Sequence, residues 1–112
     1  MSSLENVSKR IAAHASVKDE NFGFDPATIT LIVSLIINLV RLWWSCRGKK
    51  SAINQIKNPS FLFKLFLKRE IRKNLTGKRR AYLYDAFMDV APTITQNELL
   101  DITQEIESRI IK

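Results

Sequence analysis

The sequence predicts an all-α fold of about five helices, a long apolar central helix with shorter amphipathic helices packed around it. Three observations lead there. Apolar residues fill 46% of the 112 positions while glycine and proline number three each, so regular structure dominates and no long disordered linker is expected. Apolar side chains recur at helical spacing, and no alternating pattern lies between turn signals. The run Ala27 to Trp44 is apolar around most of a helical circumference, unlike a surface helix, which hides one stripe. By length the chain is one domain, 1–112, divided into 1–22, 25–47, 51–91 and 94–112. It contains no internal repeat.

Taken in order, Ser3 to about Ala15 forms a short amphipathic helix, because Leu4, Val7, Ile11 and Ala15 share a face and Ser3 can cap the start. Lys18 to Gly23 reads as a loop. Asp25 and Pro26 open the long helix: the carboxylate accepts from free first-turn amides, and proline at the first helical position loses no bond. Around that helix Thr30, Ser34, Asn38, Arg41 and Ser45 wind into one narrow polar stripe. Gly48 closes it, with Arg47, Lys49 and Lys50 at the negative end of the macrodipole.

A short helix from about Ser51 to Lys57 follows, ending at Asn58 before Pro59, which begins the next helix. That helix, Pro59 to about Leu75, crowds Phe61, Leu62, Phe63, Leu65, Phe66 and Leu67 into its first turns and is terminated near Gly77. Lys78 to Val90 is another helix, with Leu83, Phe87 and Val90 aligned, stopped by Pro92. The last helix has the clearest start in the chain. Thr95 and Glu98 form a capping box, Ile94 and Leu99 sit at the staple positions, and Leu99, Ile102, Ile106 and Ile110 continue the stripe.

Net charge is +7, and its layout is more informative than its sum. Residues 1–40 carry net −1, residues 41–80 carry thirteen cations against Glu70 alone, and residues 81–112 carry net −4. Such blocks suit contact with phosphate, on nucleic acid or anionic lipid, and equally suit copies docking basic middle to acidic tail. They also suit a merely solvated face. The cations expected at such a contact are Lys64, Lys68, Arg69, Arg72, Lys73, Lys78, Arg79 and Arg80. Each phosphate neutralised releases counterions, so the affinity would be salt-sensitive and sequence-independent.

The residues needed for catalysis are sparse. One histidine, one cysteine and scattered carboxylates provide no clustered acid, base or nucleophile, and Gly23, Gly48 and Gly77 build no phosphate loop. Lone Cys46 forms no intrachain disulfide, and with His14 it makes no zinc site without further ligands. A non-enzyme without cofactor or small-molecule substrate is therefore expected. A helix-turn-helix pair around Thr76 and Gly77 is conceivable, but its second helix lacks the Asn, Gln and Arg spread that reads base edges. Tyr82 and Tyr84 could stack on bases, although tyrosines more often belong to a core or interface.

The long helix admits two surroundings. Eighteen residues reach about 27 Å, slightly short of a hydrocarbon core of about 30 Å. Arg41 could snorkel, Trp43 and Trp44 suit the interface, the following cations would face the cytoplasm, and Cys46 would be placed for lipidation. A removable secretory signal is not expected, since mostly polar residues precede the run and no cleavage-like segment follows. Against lipid, the stripe of Thr30, Ser34, Asn38 and Arg41 is better explained by helix packing or self-association. The alternative to a membrane-inserting protein is a helix buried among protein neighbours.

In outline, Phe24-Asp25-Pro26, an aliphatic helix ending near Cys46, a basic segment and a Thr-x-x-Glu helix resemble small helical bacteriophage proteins. The resemblance implies a virion-associated component present in several copies, where apolar helices meet other subunits and cations meet DNA. It carries no functional residue onto this chain. The expected function is a non-enzymatic assembly protein that forms homo-oligomers or joins larger structural proteins through its apolar helix. Its basic middle is expected to touch DNA or acidic protein surfaces; the alternatives are a membrane protein and a nonspecific nucleic-acid binder.

Overall fold

Four side chains start helices by taking up first-turn amides. Ser2 accepts from the Glu5 amide at 3.1 Å, Asp25 from Thr28 at 2.9 Å, Ser60 from Phe63 at 3.3 Å and Thr95 from Glu98 at 3.1 Å. The computed structural model describes residues 2–23 and 25–110. Among them are six helices, α1 (Ser3–Lys18), α2 (Pro26–Arg47), α3 (Lys49–Lys57), α4 (Phe61–Asn74), α5 (Arg79–Val90) and α6 (Gln96–Ile110), with a 3-10 turn at Ala91–Thr93 and no strand. The all-α expectation holds, and each of the six helical segments placed from the sequence is present.

Several boundaries differ from expectation for local reasons. Ser2, not Ser3, caps α1, because the Ser3 hydroxyl is drawn to Asp101 at 2.9 Å. The first helix also runs a turn further, to Lys18. Ser60, not Pro59, starts α4, and the Ser60 amide is held by the Gln55 side chain at 2.6 Å. Helix α4 ends at Asn74, three residues before Gly77, which bends the connecting turn at φ 65°. Gly48 is both the last cap of α2 and the first of α3, at φ 91° and ψ 163°, a conformation that only glycine adopts without strain.

Helix α2 is the spine. Ile29, Ile32, Leu35, Ile36, Leu39, Val40 and Trp43 are buried, and Leu31, Val33, Ile37 and Trp44 are partly covered. By length and composition this helix could cross a membrane. In the structure it packs against α1, α3, α4 and α6 of its own chain. The expected faces of the smaller helices close the core: Leu4, Val7, Ile11 and Ala15 of α1, Leu83, Phe87 and Val90 of α5, and Leu99, Ile102 and Ile106 of α6 are all buried. The side chain of Ile110 and residue Phe24 lie outside the described residues.

The acidic tail is engaged within the chain. Glu105 reaches across to α1 and accepts from the Ser3 and Leu4 amides at 3.2 and 3.1 Å, supplying partners for two free helix-start donors. Glu98 binds Arg10 at 2.7 Å, Asp101 holds Ser3, and Glu107 pairs with Lys49. A carboxylate placed at the positive end of a helix dipole is favourably sited. Negative charge that appeared available for docking copies thereby fastens α6 to α1 and α3.

Candidate polyanion-binding surface

Helix α4 points one flank inward and one outward. Phe63, Leu67, Glu70 and Ile71 are buried, and Trp43 of α2 clamps the helix edge-on through Phe63 and Phe66, with ring centroids 5.4 and 5.5 Å away. Trp43 is itself fixed by donating from its indole N–H to the Ser51 hydroxyl at 2.9 Å. At 100° per residue the opposite flank, a sector of about 120°, holds Phe61, Leu62, Leu65, Lys68, Arg69 and Arg72. All six are exposed. The apolar residues crowded into the first turns, Phe61 to Leu67, therefore divide between core and surface.

The predicted cations separate into two groups. Lys68, Arg69 and Arg72 face outward from α4, Lys64 is half-buried beside them, and Lys78 is exposed in the turn after α4. Lys68 also lies over the Tyr84 ring, 4.9 Å from its centroid. Lys73 is tied to Glu70 at 3.2 Å; that carboxylate is only 8% exposed, so Lys73 balances a buried charge.

Arg79 and Arg80 have structural work. Arg80 donates to the Leu75 carbonyl at 2.7 Å and to Arg72 at 3.3 Å, satisfying carbonyls at the end of α4. Arg79 stacks over Phe22 at 5.1 Å, and its buried Nε has no acceptor among the described residues. Asp25 feels the Arg79 charge, but its carboxyl is held below the ordinary range chiefly by hydrogen bonds from Thr28. Sequence reasoning missed these roles because carbonyl and ring partners leave no charge pattern. The outward flank of α4, by contrast, is readable by phasing the helix on Phe63, Leu67 and Ile71.

Between α4 and α5 a cleft of about 400 Å³ is lined by Lys68, Ile71, Arg72, Arg80, Tyr84 and Asp85. Tyr84 also borders a second cleft, of about 460 Å³, with Lys57, Lys64 and Met88. The face therefore combines cations with shallow relief rather than an enclosed chamber. Among the described residues no group of histidine, cysteine and carboxylates could hold a metal ion.

The polar stripe of α2 lies on its open side. Thr30, Ser34, Asn38, Arg41 and Ser45 are all exposed. Thr30 and Ser34 border a cleft of about 500 Å³ shared with Ser2, Glu5, Lys9 and Arg109, whereas Asn38, Arg41 and Ser45 border one of about 430 Å³ with Leu42, Glu70 and Lys73. Cys46, one turn beyond Leu42, is exposed and free, and His14 is exposed on α1. Comparison with protein-family models, curated proteins and solved structures finds no match to this chain.

Proposed function

We propose that this chain is a non-catalytic assembly protein that attaches to a phosphate-bearing polyanion through its basic middle. One observation carries the reading: Lys68, Arg69 and Arg72 project from a single flank of α4 while the acidic residues of α6 are turned toward α1 and α3. A cationic flank, with the α6 acids engaged elsewhere and Asp85 at its border toward α5, attracts polyanions over about a Debye length. No base-reading pattern accompanies it, so contact is electrostatic. The phage-like layout adds a setting, a multi-copy assembly such as a virion.

Binding of unrelated duplexes, followed by fluorescence anisotropy, tests this. Affinity should be alike for different sequences and should fall by orders of magnitude between about 50 and about 200 mM salt. Arg69→Ala with Arg72→Ala should weaken all duplexes equally and flatten the salt slope by about two. Affinity indifferent to salt would exclude the reading. A second reading, self-association through α2, is supported by the exposed stripe from Thr30 to Ser45, which no other helix of the chain covers. Insertion of α2 in a bilayer would strip its seven buried side chains of their packing in the core, so both readings keep it within the protein.

A further inference from the structure

We propose that the polyanion is an anionic lipid surface, and that α4 lies on it as a peripheral docking element. The inference rests on the polyanion reading above and adds to it the apolar half of the same flank. Phe61 is 77% exposed, Leu65 44% and Leu62 38%. They occupy the N-terminal half of the flank, and Lys68, Arg69 and Arg72 occupy the C-terminal half, within about 16 Å along the axis. A helix carrying large apolar residues and cations on one outward face suits the boundary between headgroups and acyl chains. The apolar side chains enter the boundary, the cations meet lipid phosphates, and each cation near such a surface adds favourable electrostatic energy.

Two other occupants explain less. Nucleic acid would reward the cations, but its phosphate backbone gives Phe61, Leu62 and Leu65 nothing to bury against. A second copy of the chain, paired face to face, would cover the apolar residues and bring Lys68, Arg69 and Arg72 of both copies together, a like-charge contact. Of these three occupants, anionic lipid is the one that satisfies both halves of the flank. Glu70, the lone acid of the basic middle, is buried and paired, so no carboxylate of that segment faces the lipid.

Vesicle co-sedimentation decides it. The full chain should pellet with phosphatidylcholine vesicles containing roughly a third phosphatidylglycerol and remain in the supernatant with phosphatidylcholine alone. Phe61→Ser combined with Leu65→Ser alters only exposed positions, and unchanged circular dichroism will verify the fold. That variant should lose about tenfold or more in vesicle affinity while binding duplex DNA within about twofold of the parent. If the parent binds duplex DNA but not anionic vesicles, or the variant binds vesicles as the parent does, the lipid inference is overturned and the polyanion reading survives. Binding to neither probe removes both.

Discussion

Arg10 holds Glu98 with both terminal guanidinium nitrogens, at 2.7 and 3.3 Å, and so joins the middle of α1 to the first turn of α6. The same carboxylate accepts from the Thr95 amide at 3.0 Å, completing the capping box. Its pKa is held below the ordinary glutamate range, first by the Arg10 hydrogen bond and next by Thr95, against the opposing effect of burial. Depression in the folded state means that the stabilisation is complete above the unfolded value of about 4.3 and is lost as pH falls through the folded value. Glu98→Gln should therefore cost about 1 kcal/mol at neutral pH and weaken the acid dependence of stability. Urea midpoints measured from neutral pH into the acid range check this. An unchanged acid limb in the variant would refute the assignment.

Trp43 determines how α4 presents its outward flank. It meets Phe63 and Phe66 edge-on and is anchored by Ser51 at the start of α3. Trp44, its neighbour, is only partly covered. Truncating a buried aromatic removes transfer energy and leaves a cavity. Trp43→Ala should cost about 3–5 kcal/mol, and Trp44→Ala less than half as much. Chemical denaturation of the two variants separates them, and equal losses would show that the clamp is not centred on Trp43.

The fold was legible wherever a local rule agreed with a tertiary one. Thr95 with Glu98, and Asp25 with Pro26, mark helix starts by chemistry that acts within four residues. Leu4, Val7 and Ile11 mark a face that the core then uses. Adjacent candidates were harder: Ser2 and Ser3 can both cap, and only the distant Asp101 and Glu105 decide between them. The candidate surface was half legible. Its cations could be named from the sequence, but Arg79 and Arg80 are diverted by a ring and by carbonyls. The outward turn of Phe61, Leu62 and Leu65 opposes the general tendency of apolar residues to be buried. It becomes visible only when α4 is phased on the residues facing Trp43.

Asn38 stands at the middle of the open side of α2, bordering the cleft shared with Glu70 and Lys73 and one turn beyond Ser34 of the other cleft. A second chain seated there would remove Thr30, Ser34, Asn38 and Arg41 from water, and each would then need a partner across the contact. An amide in an otherwise apolar helical contact fixes register and copy number at some expense of stability. If the stripe is a packing surface, Asn38→Leu will alter the sedimentation coefficient, because it frees the register that the amide enforces. Lys73 is a poor control, since its loss would strand the buried charge of Glu70. Arg69→Ala is the better one: the side chain is exposed on α4, and its removal changes charge without uncovering anything. Sedimentation velocity should separate Asn38→Leu from the parent and leave Arg69→Ala beside it. Coincident profiles for all three would mean that the stripe is simply the solvent side of a helix whose other faces the chain covers by itself.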